Sequence, residues 1–218
     1  MKLSKRTQAI LKNFAGINQS IVINPGNVLQ TISNVKDVFA KATIEETFET
    51  KVSIYDVNEF LGVLSLFEDP ELEFTANSVK LSQGNMTQTY YYADSSVITQ
   101  PPEKGVSLPS VEVNASLTRE QMMSLVKAAG LNDATSLTFT DGNVKVWNSQ
   151  SPNANTFQIT GVSDTEASYE LSIAVEKLKM VADDYDIEIC AKGLSHFSGK
   201  QNSIEYFVAL QPNGKYSG

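Results

Sequence analysis

His196 and Cys190 are the single histidine and the single cysteine of the chain. A protein zinc site takes three or four nitrogen, sulfur or carboxylate ligands, so these two side chains point away from metal chemistry. No GxSxG nucleophile elbow and no GxxxxGK[ST] phosphate loop occurs in the sequence. Asp183, Asp184 and Asp186 form one acidic cluster that could hold a divalent cation. It follows a helical segment, so it reads more simply as an acidic turn into a strand over Ile187–Ala191. Cys190 alternates with apolar residues in that strand and reads as core. Trp147 lies in a strand-like run and reads as packing rather than as a stacking platform. These residues carry no expected turnover: not an enzyme, no cofactor, no metal.

What remains is a chemistry of charge. The net charge is −8 over 218 residues, which by itself argues against a nucleic-acid partner. The distribution argues differently. Lys2, Lys5, Arg6, Lys12 and Lys36 all precede the first acid, Asp37, a local charge of +5. The rest of the chain then carries 12 basic residues (17 − 5) against 25 acidic ones, a charge of −13. A basic N-terminal segment sits on an acidic body. Its meaning depends on which way those charges point, and so on the elements that carry them.

The elements repeat. Residues 2–17, KLSKRTQAILKNFAGI, align with residues 116–131, SLTREQMMSLVKAAGL. At nearly the same offset Pro25-Gly26-Asn27-Val28 meets Asp141-Gly142-Asn143-Val144. Val52-Ser53-Ile54 meets Leu171-Ser172-Ile173, and Tyr90–Ala93 meets Tyr206–Ala209. An internal repeat of this kind is one structural unit used twice. Ser4 and Thr118 are N-cap residues, and Gln121 completes a capping box with Thr118. Gly16 and Gly130 suit the left-handed residue that ends a helix. PGN and DGN are turn signals between β-favouring runs and predict a hairpin in each half. A second, short helix is expected over Asp56–Phe67 in the first half and about Ala174–Ala182 in the second. Thr99–Pro109 holds three prolines and a glycine and reads as an extended connector. The expected class is α+β: two similar domains, 1–105 and 106–218, each with antiparallel sheets and two helices. Composition (41% hydrophobic, 19% charged) is that of a folded globular protein. No apolar run reaches the ~20 residues of a membrane span, so no membrane partner is expected.

On a helical wheel of residues 3–17, Leu3, Ile10, Leu11, Phe14 and Ile17 cluster opposite Lys5. Lys5 and Lys12 sit on the polar crest, flanked by Lys2 and Gln8, with Arg6 and Asn13 further round. The outer face is cationic and free of acids. The corresponding helix of the second half is less clean. Leu117, Met122, Leu125, Ala128 and Leu131 share one side. Arg119 and Lys127 lie toward the other, together with Met123 and Val126. Lys177 and Lys179 add charge on the short segment around Val175–Val181.

Val52–Leu66 closely resembles the corresponding segment of the sliding clamps of T-even-type bacteriophages. Met1–Lys5 and Leu11–Ala15 are similar to the first helix of that family. Ala191-Lys192-Gly193 and Tyr206–Leu210 are similar to its last strands. The resemblance implies processivity-clamp domains, two per chain, with three chains closed head-to-tail into a ring. The inner helices would pass duplex DNA without reading its sequence, while the ring tethers the replicative DNA polymerase. The DNA-facing residues implied are Lys5 and Lys12, with Lys2, Arg119, Lys127, Lys177 and Lys179 carried over by position. An ATP-driven clamp loader is the implied opener of the ring. Partner peptides are expected near the connector, with Leu108, Leu210 and Pro212 as positional candidates. The implied location is the cytoplasm of the infected bacterial host, which a lone cysteine fits. The competing reading is a non-catalytic, repeat-built scaffold subunit of a phage with no DNA role.

Overall fold

The computed structural model describes residues 1–151 and 153–218. The chain divides into two compact units, Met1–Gly105 and Val106–Gly218.

In the first unit, helix α1 (Lys5–Ile17) is followed by β1 (Ile21–Ile23), β2 (Gly26–Ile32), β3 (Val38–Phe48) and β4 (Val52–Ile54). Helix α2 (Val57–Leu64) and strands β5 (Glu71–Phe74), β6 (Ser78–Gln83) and β7 (Met86–Tyr91) complete it. Strand β1 pairs antiparallel with β4, Ile21 opposite Ile54, and β2 pairs with β3. Strands β5, β6 and β7 form a meander. All six residues of β1 and β4 are buried, as expected for a pair covered on both faces. The apolar stripe of α1 packs Ile10, Leu11, Phe14 and Ile17 into this core. Phe60 of α2 meets Tyr90 edge-on at 5.4 Å.

The PGN segment is not the turn of a β1–β2 hairpin, because those strands pair with β4 and β3 respectively. Pro25 lacks a backbone donor, and Gly26 stands alone at φ 122°. The chain therefore turns a corner there instead of folding back. DGN is a true hairpin turn: Asp141 at φ 41° and Gly142 at φ 81° give the two consecutive left-handed residues that match strand twist.

The second unit begins with β8 (Val113–Leu117) and α3 (Arg119–Leu131). Strands β9 (Ser136–Thr140), β10 (Asn143–Trp147), β11 (Phe157–Ile159) and β12 (Ser168–Ala174) follow. Then come β13 (Tyr185–Cys190), β14 (Leu194–Gly199), β15 (Ile204–Ala209) and β16 (Lys215–Ser217). One sheet runs β11-β10-β9-β12-β16, and β15-β14-β13-β8 are neighbours in another. The repeat holds at the level of pairing: the strand after the first helix of each unit pairs with the strand before the second helical segment, β1 with β4 and β9 with β12.

Three expectations are corrected. The helix expected over Ala174–Ala182 is a single 3-10 turn, Val175–Lys177, so the second unit has one α-helix among the described residues. Ala174 offers no side-chain cap, and Leu178 has already left helical geometry at ψ 58°. The Tyr206 hydroxyl accepts from the Val181 amide and the Tyr185 hydroxyl donates to its carbonyl, so tertiary bonds replace helical ones. Gly16 and Gly130 lie inside the last turns of α1 and α3 rather than beyond them. The left-handed residue after α3 is Asp133, φ 46°, and the Ala134 amide reaches back to the Ala129 carbonyl, a Schellman closure. Leu131 belongs to that final turn and is 75% exposed, not part of the core.

Candidate nucleic-acid interface

Helix α1 starts where the Ser4 hydroxyl accepts from the Thr7 amide at 3.2 Å. Its buried face leaves Lys5, Ala9, Lys12 and Gly16 exposed on the other. Lys5 and Lys12 are seven residues apart, which is ~10 Å along the helix axis and ~20° around it. The two residues therefore share one face, and neither has an ion-pair partner among the described residues.

The first turn of α1 carries Lys5 and Arg6 and no acid. A helix N-terminus holds a partial positive charge and favours anions, so helix stability alone would not place cations there. The missing carboxylate comes from β3. The alternation Ala42, Ile44, Glu46, Phe48 turns Glu46 toward the buried side of that strand. Its Oε1 accepts from the Ser4 amide and its Oε2 from the Thr7 hydroxyl at 2.5 Å. Burial pushes the Glu46 carboxyl upward, but the bonds from Thr7 and Ser4 outweigh it and hold the group below its ordinary range. Arg6 adds a second tie to β3, donating to the Thr43 carbonyl at 3.0 Å.

Lys2 is placed differently. Its ammonium contacts the Asp69 carboxylate and lies 3.9 Å from Glu71. The hydrogen bond to Asp69 raises its pKa above the usual lysine value. Lys2 therefore ties the lead-in of α1 to the segment before β5.

Helix α3 begins with the capping box: the Thr118 hydroxyl accepts from the Gln121 amide at 3.2 Å, and the Gln121 side chain accepts from the Thr118 amide at 2.9 Å. Here too a carboxylate from elsewhere sits at the first turn, as Asp184 accepts from the Arg119 amide at 2.7 Å. Arg119, Met123 and Lys127 are exposed along one stripe and border an open groove of about 720 Å³. Lys177 donates to the Ala209 carbonyl at 3.3 Å and is half-buried, while Lys179 is exposed. The seven cationic candidates thus fall into a free pair on α1, a pair on α3, a loop pair and an ion-paired Lys2.

The clustered aspartates Asp183, Asp184 and Asp186 each have structural work. Asp183 is fully buried and accepts from the amides of Asp184, Gln201 and Asn202 and from the Asn202 side chain. Asp186 pairs with Lys200 at 2.7 Å. Cys190 is buried, and the Trp147 indole donates to Thr138 at 2.9 Å. Of the partner candidates, Leu108 is half-buried, Leu210 is buried and Pro212 is exposed. Glu46 and Asp184 escaped sequence reasoning as helix partners. Strand alternation in β3 was the one available signal, for Glu46.

The family described as DNA polymerase processivity factor matches residues 2–100. The family described as gp45 sliding clamp, C terminal, matches residues 109–212. The sliding clamp of Vibrio phage KVP40 is 34% identical over 223 residues, covering 97% of this chain and 99% of that one. The chain belongs to the phage sliding-clamp family. The sliding clamp of Enterobacteria phage T4 is 30% identical, with 99% of both chains covered. The fold extends beyond phages. A PCNA2–PCNA3 complex from Sulfolobus tokodaii gives a TM-score of 0.71 at 15% identity, covering 94% of this chain and 96% of that one. The function is that of the family, DNA polymerase processivity. Family membership removes the scaffold reading.

Proposed function

We propose that three copies of this chain close head-to-tail around duplex DNA and tether the replicative polymerase without catalysing any reaction. The single observation that carries this reading is the outer face of α1. In a protein of net charge −8 it presents Lys5 and Lys12 without an acid or an ion-pair partner. Arg119, Lys127, Lys177 and Lys179 extend the DNA-facing set, while Lys2 is offset by Asp69 and Glu71. Screened contacts suit sliding. The Debye length is ~8 Å at physiological salt, and phosphate contacts position a protein without specifying sequence.

A head-to-tail junction needs two different surfaces. Strand β7 is an edge strand with Met86 and Tyr91 exposed, and β11 is the edge of the five-stranded sheet of the second unit. Pairing β7 of one copy with β11 of the next would satisfy both edges. Opening the ring falls to an ATP-driven loader, and apolar partner peptides dock around Leu108, Leu210 and Pro212. The place of action is the cytoplasm of the infected host.

Light scattering across a dilution series tests the assembly. The expected species has three times the 23.8 kDa chain mass and dissociates to monomer without higher polymers. A concentration-independent monomer, or open-ended growth, would overturn the ring.

A further inference from the structure

Helix α1 faces opposed electrostatic demands. Phosphate attraction asks for cations and no acids on the outward face, while the helix dipole asks for a carboxylate at the N-terminus. Helix α1 has no acid in its first turn, yet two of its N-terminal groups meet a carboxylate. The Ser4 amide and the Thr7 hydroxyl both donate to Glu46 of β3. Thr7 is fully buried, so this carboxylate approaches from the core side, opposite Lys5 and Lys12. Helix α3 shares only part of the device: its Arg119 amide donates to Asp184 from the segment before β13, but its first turn also carries the exposed acid Glu120.

We propose that Glu46 is a positioning residue for DNA contact: it caps α1 from the protein side, so that the first turn stays ordered while its outward face stays free of negative charge. This rests on the reading that α1 faces the duplex. Glu46 touches no DNA itself and acts through Lys5 and the turn that carries it.

The sign of the effect separates positioning from bulk charge. Removing an acid makes the protein less negative, and charge alone would tighten DNA binding. Loss of positioning would weaken it. The test is equilibrium binding of the full-length protein to a short fluorescent duplex over a salt series, with thermal stability measured on the same samples. Glu46→Ala is expected to weaken binding several-fold and to lower the log–log salt slope by about 0.9, one phosphate contact. Glu46→Gln, which keeps an acceptor for the Ser4 amide, is expected to fall between Glu46→Ala and the parent, and it serves if Glu46→Ala does not fold.

Tighter or unchanged binding by both Glu46 variants overturns the proposal. Lys5→Gln with Lys12→Gln separates the two levels. An unchanged slope in that variant would overturn the DNA-facing reading and this inference together. A lowered slope there, with Glu46 variants like the parent, would overturn this inference alone.

Discussion

Neutralising Lys5 and Lys12 should change the salt dependence of DNA binding by a calculable amount and change little else. Both side chains are exposed and lack an ion-pair partner among the described residues, so Lys5→Gln and Lys12→Gln leave no buried charge behind. Their ~10 Å separation along the axis spans about three phosphates of one strand at 3.4 Å each. The two ammonium groups therefore meet different phosphates and act additively. Each phosphate neutralised contributes about 0.9 to the slope of log affinity against log salt. Between roughly 50 and 200 mM salt, a fourfold change, one lost contact makes the fall in affinity about 3.5-fold smaller, and two make it about 12-fold smaller. The assay is fluorescence anisotropy of a short duplex at several salt concentrations, with melting temperature as the control. A slope equal to that of the parent in the double variant would refute the reasoning, as would a melting temperature lowered by many degrees.

Lys2→Gln should leave the salt slope unchanged in the same assay, because Asp69 and Glu71 already offset its charge; a slope lowered by a full contact would contradict that placement. Gly199→Ala brings a Cβ to 2.8 Å from the Asp183 carboxylate and 3.1 Å from Ile204. The carboxylate is fixed by its amide donors, so a cost of about 1–3 kcal/mol is expected, read as a lowered midpoint in urea. Gly62→Ala meets nothing within 4 Å in the middle of α2 and should stabilise by about 0.5–1 kcal/mol, raising the melting temperature by roughly 2–4 °C per kcal/mol. The Glu46 carboxyl is held below its ordinary range in the folded state. Its contribution to stability is therefore complete above the unfolded value of about 4.3 and is lost as pH falls through the folded value. Glu46→Gln should flatten the acid limb of a plot of melting temperature against pH.

Helix α1 was legible because its signals agree: an N-cap at Ser4, apolar residues at helical spacing and a polar crest at Lys5 and Lys12. The DGN turn was legible for the same reason, since Asp141 and Gly142 are the residues a two-residue hairpin demands. PGN shares the letters but not the outcome, because which strands pair is decided by distant partners such as Val52–Ile54 and not by the turn. The segment after Ala174 has apolar and basic residues at helical spacing. Hydrogen bonds with the hydroxyls of Tyr185 and Tyr206 nevertheless hold it in another shape, and those tyrosines follow in later strands. The ion pair of Lys2 was not legible for a similar reason, its partner Asp69 lying 67 residues away. Composition located the charge, but only the fold separates Lys5 and Lys12 from the ion-paired Lys2.

The central claim is topological, and the most direct measurement is retention on DNA whose ends can be opened. The protein is loaded by a cognate clamp loader onto a nicked circular plasmid, separated from free protein by gel filtration, and challenged by cutting the plasmid once. At a salt concentration where phosphate contacts alone no longer hold the protein to DNA, an encircling ring stays with the circle and leaves once the DNA is linear. Equal retention before and after cutting would mean that the protein holds DNA by its surface, and would contradict the account.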